Sequence, residues 1–166
     1  MTQQTYVFNA ELVGFQGVHR TITARDDLTL VDLHYALQSA FGWDDDHLYS
    51  FWLDGAFWAS EDAHYMHPYH AISVDRPGKS ACARLADLDM FEGQRIAYVF
   101  DFEREWRVQL ELREIRVAQG PAVARCVERT GTAPPQYERA VIEKDDAPAQ
   151  PAADRPALRY DEVDAA

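Results

Sequence analysis

The chain has 166 residues, of which 47% are hydrophobic and 12% aromatic, enough to bury the core of one domain. Its formal net charge of -12 opposes a phosphate backbone and an anionic membrane surface, so direct nucleic-acid and membrane binding are disfavoured as functions. Cys82 and Cys126 are too few and too far apart for a disulfide framework, the first residues carry no secretory pattern, and no apolar run is long enough to span a bilayer. Those features together predict a cytoplasmic protein with reduced thiols.

Tyr6, Phe8, Ala10 and Leu12 alternate with polar residues, and after a turn at Gly14 to Gly17 the same period of two returns through Val18, Arg20, Ile22 and Ala24. This predicts an opening β-hairpin. Leu30, Leu33, Leu37 and Phe41 then fall on one face of a helix, with Thr29 as N-cap, Asp32 as its capping-box partner and Gly42 as the left-handed stop. Trp43, just past the stop, is expected to fold back over Leu37.

Tyr49 to Leu53, Asp54-Gly55 and Ala56 to Ala59 read as a second hairpin, because Asp-Gly accepts the positive φ angles of a tight turn. Glu61 to Pro77 shows no period and reads mainly as loop, and a short element is expected around Leu85 to Leu88. Ile96, Tyr98, Phe100 and Phe102, then Trp106, Val108, Leu110 and Leu112, predict a third hairpin turning around Glu103. The expected fold is α+β: a mainly antiparallel sheet with one principal helix packed on one face, in the order hairpin, helix, hairpin, like a β-grasp. A single domain is placed at residues 1–146, and residues 147–166, rich in Pro and Ala and acidic, are expected to be a disordered tail.

Two segments carry a resemblance. Thr29-Leu30-Val31-Asp32-Leu33-His34 with Ala40-Phe41-Gly42-Trp43-Asp44-Asp45-Asp46-His47-Leu48, and Tyr98-Val99-Phe100-Asp101-Phe102 with Trp106, resemble the motifs of the plasmid pRiA open-reading-frame-three-like family. The resemblance runs from about Tyr6 to Pro135 and implies a small α+β protein of plasmid or mobile-element setting, in a family sometimes labelled transposon passenger or resolvase-like. It implies no catalytic residue. The chain departs from the family pattern at His19-Arg20-Thr21, Glu103-Arg104, Val108, Ala133 and Gln136-Tyr137.

Three groups of residues are candidates for chemistry. Asp44, Asp46 and His47 offer a carboxylate-oriented imidazole or a magnesium site, the basis of a metal-dependent hydrolase or nuclease. His64, His67 and His70 are the densest set of imidazoles and suit zinc, iron or nickel, although Pro68 breaks a regular helical spacing and a histidine-bearing surface loop is the plainer reading. Acids between a helix stop and a strand are ordinary turn residues, so no cofactor is expected. The aromatic series is expected to fill the core, yet Trp43, Tyr49, Trp52 and Trp58 become partner-binding candidates if one face of their strand stays open. The leading expectation is a noncatalytic accessory or protein-interaction domain.

Overall fold

The computed structural model describes residues 2–73 and 78–137, so the tail expected at 147–166 lies outside the described residues. Strands β1 (Gln4–Leu12) and β2 (His19–Arg25) form the opening antiparallel hairpin. Helix α1 (Leu30–Phe41) follows, then β3 (Tyr49–Trp52), β4 (His64–Met66), the short helix α2 (Pro68–Ser73) and β5 (Lys79–Ser80). A single 3-10 turn at Leu85–Asp87 leads into β6 (Arg95–Phe100), β7 (Trp106–Val117) and β8 (Ala124–Thr130).

All of these strands join one eight-stranded sheet in the order β5-β4-β3-β6-β7-β1-β2-β8. The expected α+β architecture is corrected by that sheet. The molecule is predominantly strand, its sheet is mixed because β4 and β5 run parallel, and the described residues include a second short helix. A β-grasp would place β1 beside a late parallel strand, whereas β1 runs antiparallel to both of its neighbours, β2 and β7.

The Asp54-Gly55 hairpin is also corrected. Residues 56–59 are turn rather than strand, and β3 takes β4 and β6 as its neighbours. A local turn signal lost to two long-range partners that cover both edges of β3. Part of the expected loop from Glu61 to Pro77 accordingly forms β4 and α2.

The ends of α1 match their sequence signals. Thr29 Oγ1 accepts from Asp32 N–H at 3.3 Å, and Asp32 Oδ2 accepts from Thr29 N–H at 2.9 Å. Leu30 and Val31 N–H donate to the carbonyls of Ala83 (3.1 Å) and Ala81 (3.0 Å), so two donors that a helix start leaves open are met by the segment before the 3-10 turn. Gly42 takes the left-handed conformation at φ 73°. Trp43 stacks on Phe41, at 4.9 Å between ring centres, and on Phe100 at 5.5 Å, within the same buried cluster as Leu37.

The main core lies between α1 and one sheet face, where Phe8, Ile22, Leu33, Leu37, Tyr98 and Leu110 are fully buried. A smaller cluster of Leu48, Trp52, Ala97, Val99 and Phe102, flanked by Phe57 and Trp58, covers the other face of β3 and β6. Both faces of these two strands are thereby closed. No helix among the described residues is long and apolar enough to cross a membrane.

Candidate functional site

The turn after α1 and the turn between β6 and β7 are brought together by Asp101 N–H, which donates to Leu48 carbonyl at 2.9 Å. Asp101 is fully buried and holds a positive φ of 63°, a strained setting for a non-glycine residue. Its Oδ1 accepts from the N–H groups of Glu103 (3.1 Å) and Arg104 (3.3 Å), and its Oδ2 meets Arg104 Nη1 at 3.1 Å. Those bonds compensate the buried charge.

His47 sits between two carboxylates, with Nδ1 2.7 Å from Asp46 Oδ1 and Nε2 3.7 Å from Asp101 Oδ2. Gln136 braces the same turn by accepting from Asp44 N–H at 2.6 Å and donating to Asp46 Oδ1 at 3.1 Å. Tyr137 OH donates to Asp46 as well. Burial alone would raise the Asp46 pKa, but the bonds from Tyr137 and His47 hold it below the usual carboxylate value. The same contact pushes the Tyr137 phenol up to about 12. Asp46 and His47 are thus brought together in bonds that join the two turns, whereas Asp44 is exposed and takes part through its backbone N–H.

A second imidazole lies deeper. His34 Nε2 is 2.7 Å from Asp45 Oδ1, its Nδ1 is 2.7 Å from Tyr98 OH, and Gln38 Nε2 donates to the same hydroxyl at 3.0 Å. The bonds fit a neutral ring: Tyr98 OH accepts from Gln38 and donates to Nδ1, while Nε2–H donates to Asp45, and Gln38 Oε1 is buried with no partner among the described residues. Burial lowers the His34 pKa to about 4, and the Asp45 bond only partly opposes it. His34 also stacks on Tyr49 at 3.6 Å between ring centres.

The three loop histidines go separate ways. His64 Nε2 bonds Ser50 Oγ at 2.8 Å under the Trp52 ring, and burial takes its pKa down to about 4. His67 Nδ1 accepts from Tyr69 N–H at 3.0 Å. His70 is fully buried, and neither ring nitrogen has a hydrogen-bond partner among the described residues. Among the described residues no three His, Cys, Asp or Glu side chains are grouped to hold a metal ion. Of the aromatic candidates, Trp43, Tyr49 and Trp52 are buried, and Trp58 is partly buried against Trp52 and Phe102.

The model of the family described as plasmid pRiA4b ORF-3-like protein matches residues 4–138. The chain belongs to that family. No curated protein matches significantly. Among solved structures, a protein of unknown function from Methanosarcina mazei Go1 is similar at 21% identity and a TM-score of 0.69, over 88% of this chain and 84% of that one. At that identity the likeness is one of fold.

In this member of the ORF-3-like family, both motifs are structural joints as well as signatures. His34 and Gln38, four residues apart on the buried face of α1, form a polar stripe that points at Tyr98. That spacing among leucines is the signal in the sequence for a buried network. Asp101, by contrast, finds His47 only through the fold.

Proposed function

We propose that the protein is a noncatalytic accessory domain that acts by contacting a protein partner, in plasmid or mobile-element biology as the family's name suggests. The observation that carries this reading is the outward face of α2, where Tyr69 and Ile72, three residues apart, are 43% and 81% exposed. Tyr35 on α1 is 54% exposed and lies near Tyr49, whose phenol pKa is raised chiefly by burial and further by Tyr35. Tyrosines and an apolar side chain on a supported surface supply contact area at low entropic cost.

The carboxylates Asp46 and Asp101 and the His47 ring support the same reading, because Asp46 bonds His47 and Gln136 and Asp101 bonds Arg104. The net charge of -12 favours protein over nucleic acid as the partner. Affinity purification from the native host, with wild type compared against Tyr69→Ala and Ile72→Asp, tests it. A protein retained by the wild type and lost from both variants is the expected result, and the same recovered set from all three would refute the reading.

A further inference from the structure

The face of the sheet turned away from α1 carries, at its β8 end, a cleft of about 620 Å³ lined by Thr5, Thr23, Arg25, Arg116 and Arg125, with Val117, Pro121 and Val123 at its side. The strand register builds it. Thr5 stands opposite Arg25 on β2 and Arg116 on β7, and Thr23 stands opposite Arg125 on β8. Residues directly opposite in an antiparallel pair share a face, so three guanidinium groups and two hydroxyls are gathered on one surface.

Arg25 is the fixed member. Its Nε and Nη2 bond Asp27 at 2.8 and 2.7 Å, and its Nη1 donates to Gly120 carbonyl at 3.1 Å, holding the β7–β8 connection beside the cleft. Arg116 is exposed and only loosely paired, at 3.9 Å from Glu114. Arg125 is exposed, and among the described residues no hydrogen bond or ion pair engages its guanidinium, so its planar fork of donors faces the cleft unengaged by them. Among the described residues no carboxylate lines the cleft, although acids outnumber bases 28 to 16 in the chain.

We infer that this cleft binds an organic phosphate, with the phosphoryl group on Arg116, Arg125 and the threonine hydroxyls and the organic portion against Val117, Pro121 and Val123. Arginine forks match phosphoryl oxygens in a bidentate manner, and hydroxyls add neutral donors. The volume exceeds what a lone phosphate fills and falls in the range of small-ligand sites. An apolar wall beside the cations gives a reason for an organic ester over the inorganic ion.

The inference is independent of the partner surface on α2, which contacts β4 and β5 at the other end of the strand order. Titration calorimetry with AMP, glycerol 3-phosphate, inorganic phosphate and adenosine at low salt tests it, with amide chemical shifts locating the site. At least one ester should bind more tightly than inorganic phosphate, adenosine should not bind, and shifts should centre on Thr5, Thr23 and Arg125. Arg125→Ala should weaken ester binding by about tenfold or more, and Ile72→Asp should leave it unchanged. Esters that bind no better than inorganic phosphate, adenosine binding as well as AMP, or undiminished binding by a folded Arg125→Ala variant would each overturn the proposal.

Discussion

His34 and His70 are both buried imidazoles, but removal of His34 should destabilise the fold and removal of His70 should not. His34→Leu would leave the buried Tyr98 hydroxyl, still receiving Gln38 Nε2–H, with no acceptor for its own proton and would return the exposed Asp45 to water, and a buried group left unpaired costs about 1–3 kcal/mol. His70 has no hydrogen bond to lose, so His70→Leu should be neutral or stabilising by about 1 kcal/mol. Urea unfolding of the two variants checks the pair; equal losses would mean that the bonding difference does not govern these sites. His34 and His64 also set a pH dependence. Each has a folded pKa of about 4 against 6.5 for the free side chain, because burial disfavours the charged ring. The unfolded chain therefore binds more protons between those values. Stability from both groups is fully present above pH 6.5 and falls as pH drops toward 4, by up to about 3 kcal/mol for His34. Denaturation midpoints at about pH 7.5 and about pH 4.5 should show the fall, and His34→Leu should reduce it.

Elements whose signals are local were legible in the sequence. The capping box at Thr29 and Asp32, the left-handed stop at Gly42 and the hairpins β1–β2 and β6–β7 all depend on residues close in the chain. The pairing of β3 with β4, the parallel β4–β5 contact and the edge strand β8 depend on distant segments, so Asp54-Gly55 read alone gave the wrong partner. The same distinction separates two glycines. Gly120 and Gly131 both hold positive φ, at 81° and 75°, yet a Cβ on Gly120 would meet nothing within 4 Å. On Gly131 it would come 2.3 Å from the Gly17 carbonyl oxygen, where β8 closes against the β1–β2 turn. Gly120→Ala should cost about 1 kcal/mol through backbone strain alone. Gly131→Ala should cost several-fold more, because two backbones must separate; thermal unfolding of both variants decides whether that contact is as rigid as the geometry requires. Thr29→Ala, by comparison, should cost about 1 kcal/mol by releasing Asp32 N–H and the hydroxyl bond to its carboxylate.

Across the whole molecule, burial is uneven in a way that predicts where the fold opens first. β3 is buried at all four positions and is flanked by β4 and β6, while the two apolar clusters close both faces of β3 and β6. Among the described residues β8 pairs only with β2; it carries a register shift opposite Thr21 and Ile22, and exposes most of its residues. Arg125, Glu128 and Arg129 along it, with the bulge, are the devices that discourage strand addition at a free edge, which favours its face over its edge as a binding surface. Native-state hydrogen exchange should therefore rank the amides of Phe51, Tyr98 and Val99 among the slowest, at the free energy of global unfolding, and those of β8 well below them. A ligand held between β7 and β8 would raise protection in β8 selectively, since binding stabilises only the states in which both strands stay in place. Uniform protection across the sheet would mean that β8 unfolds only with the rest, and the cleft would then report on global stability rather than on a local opening of this edge.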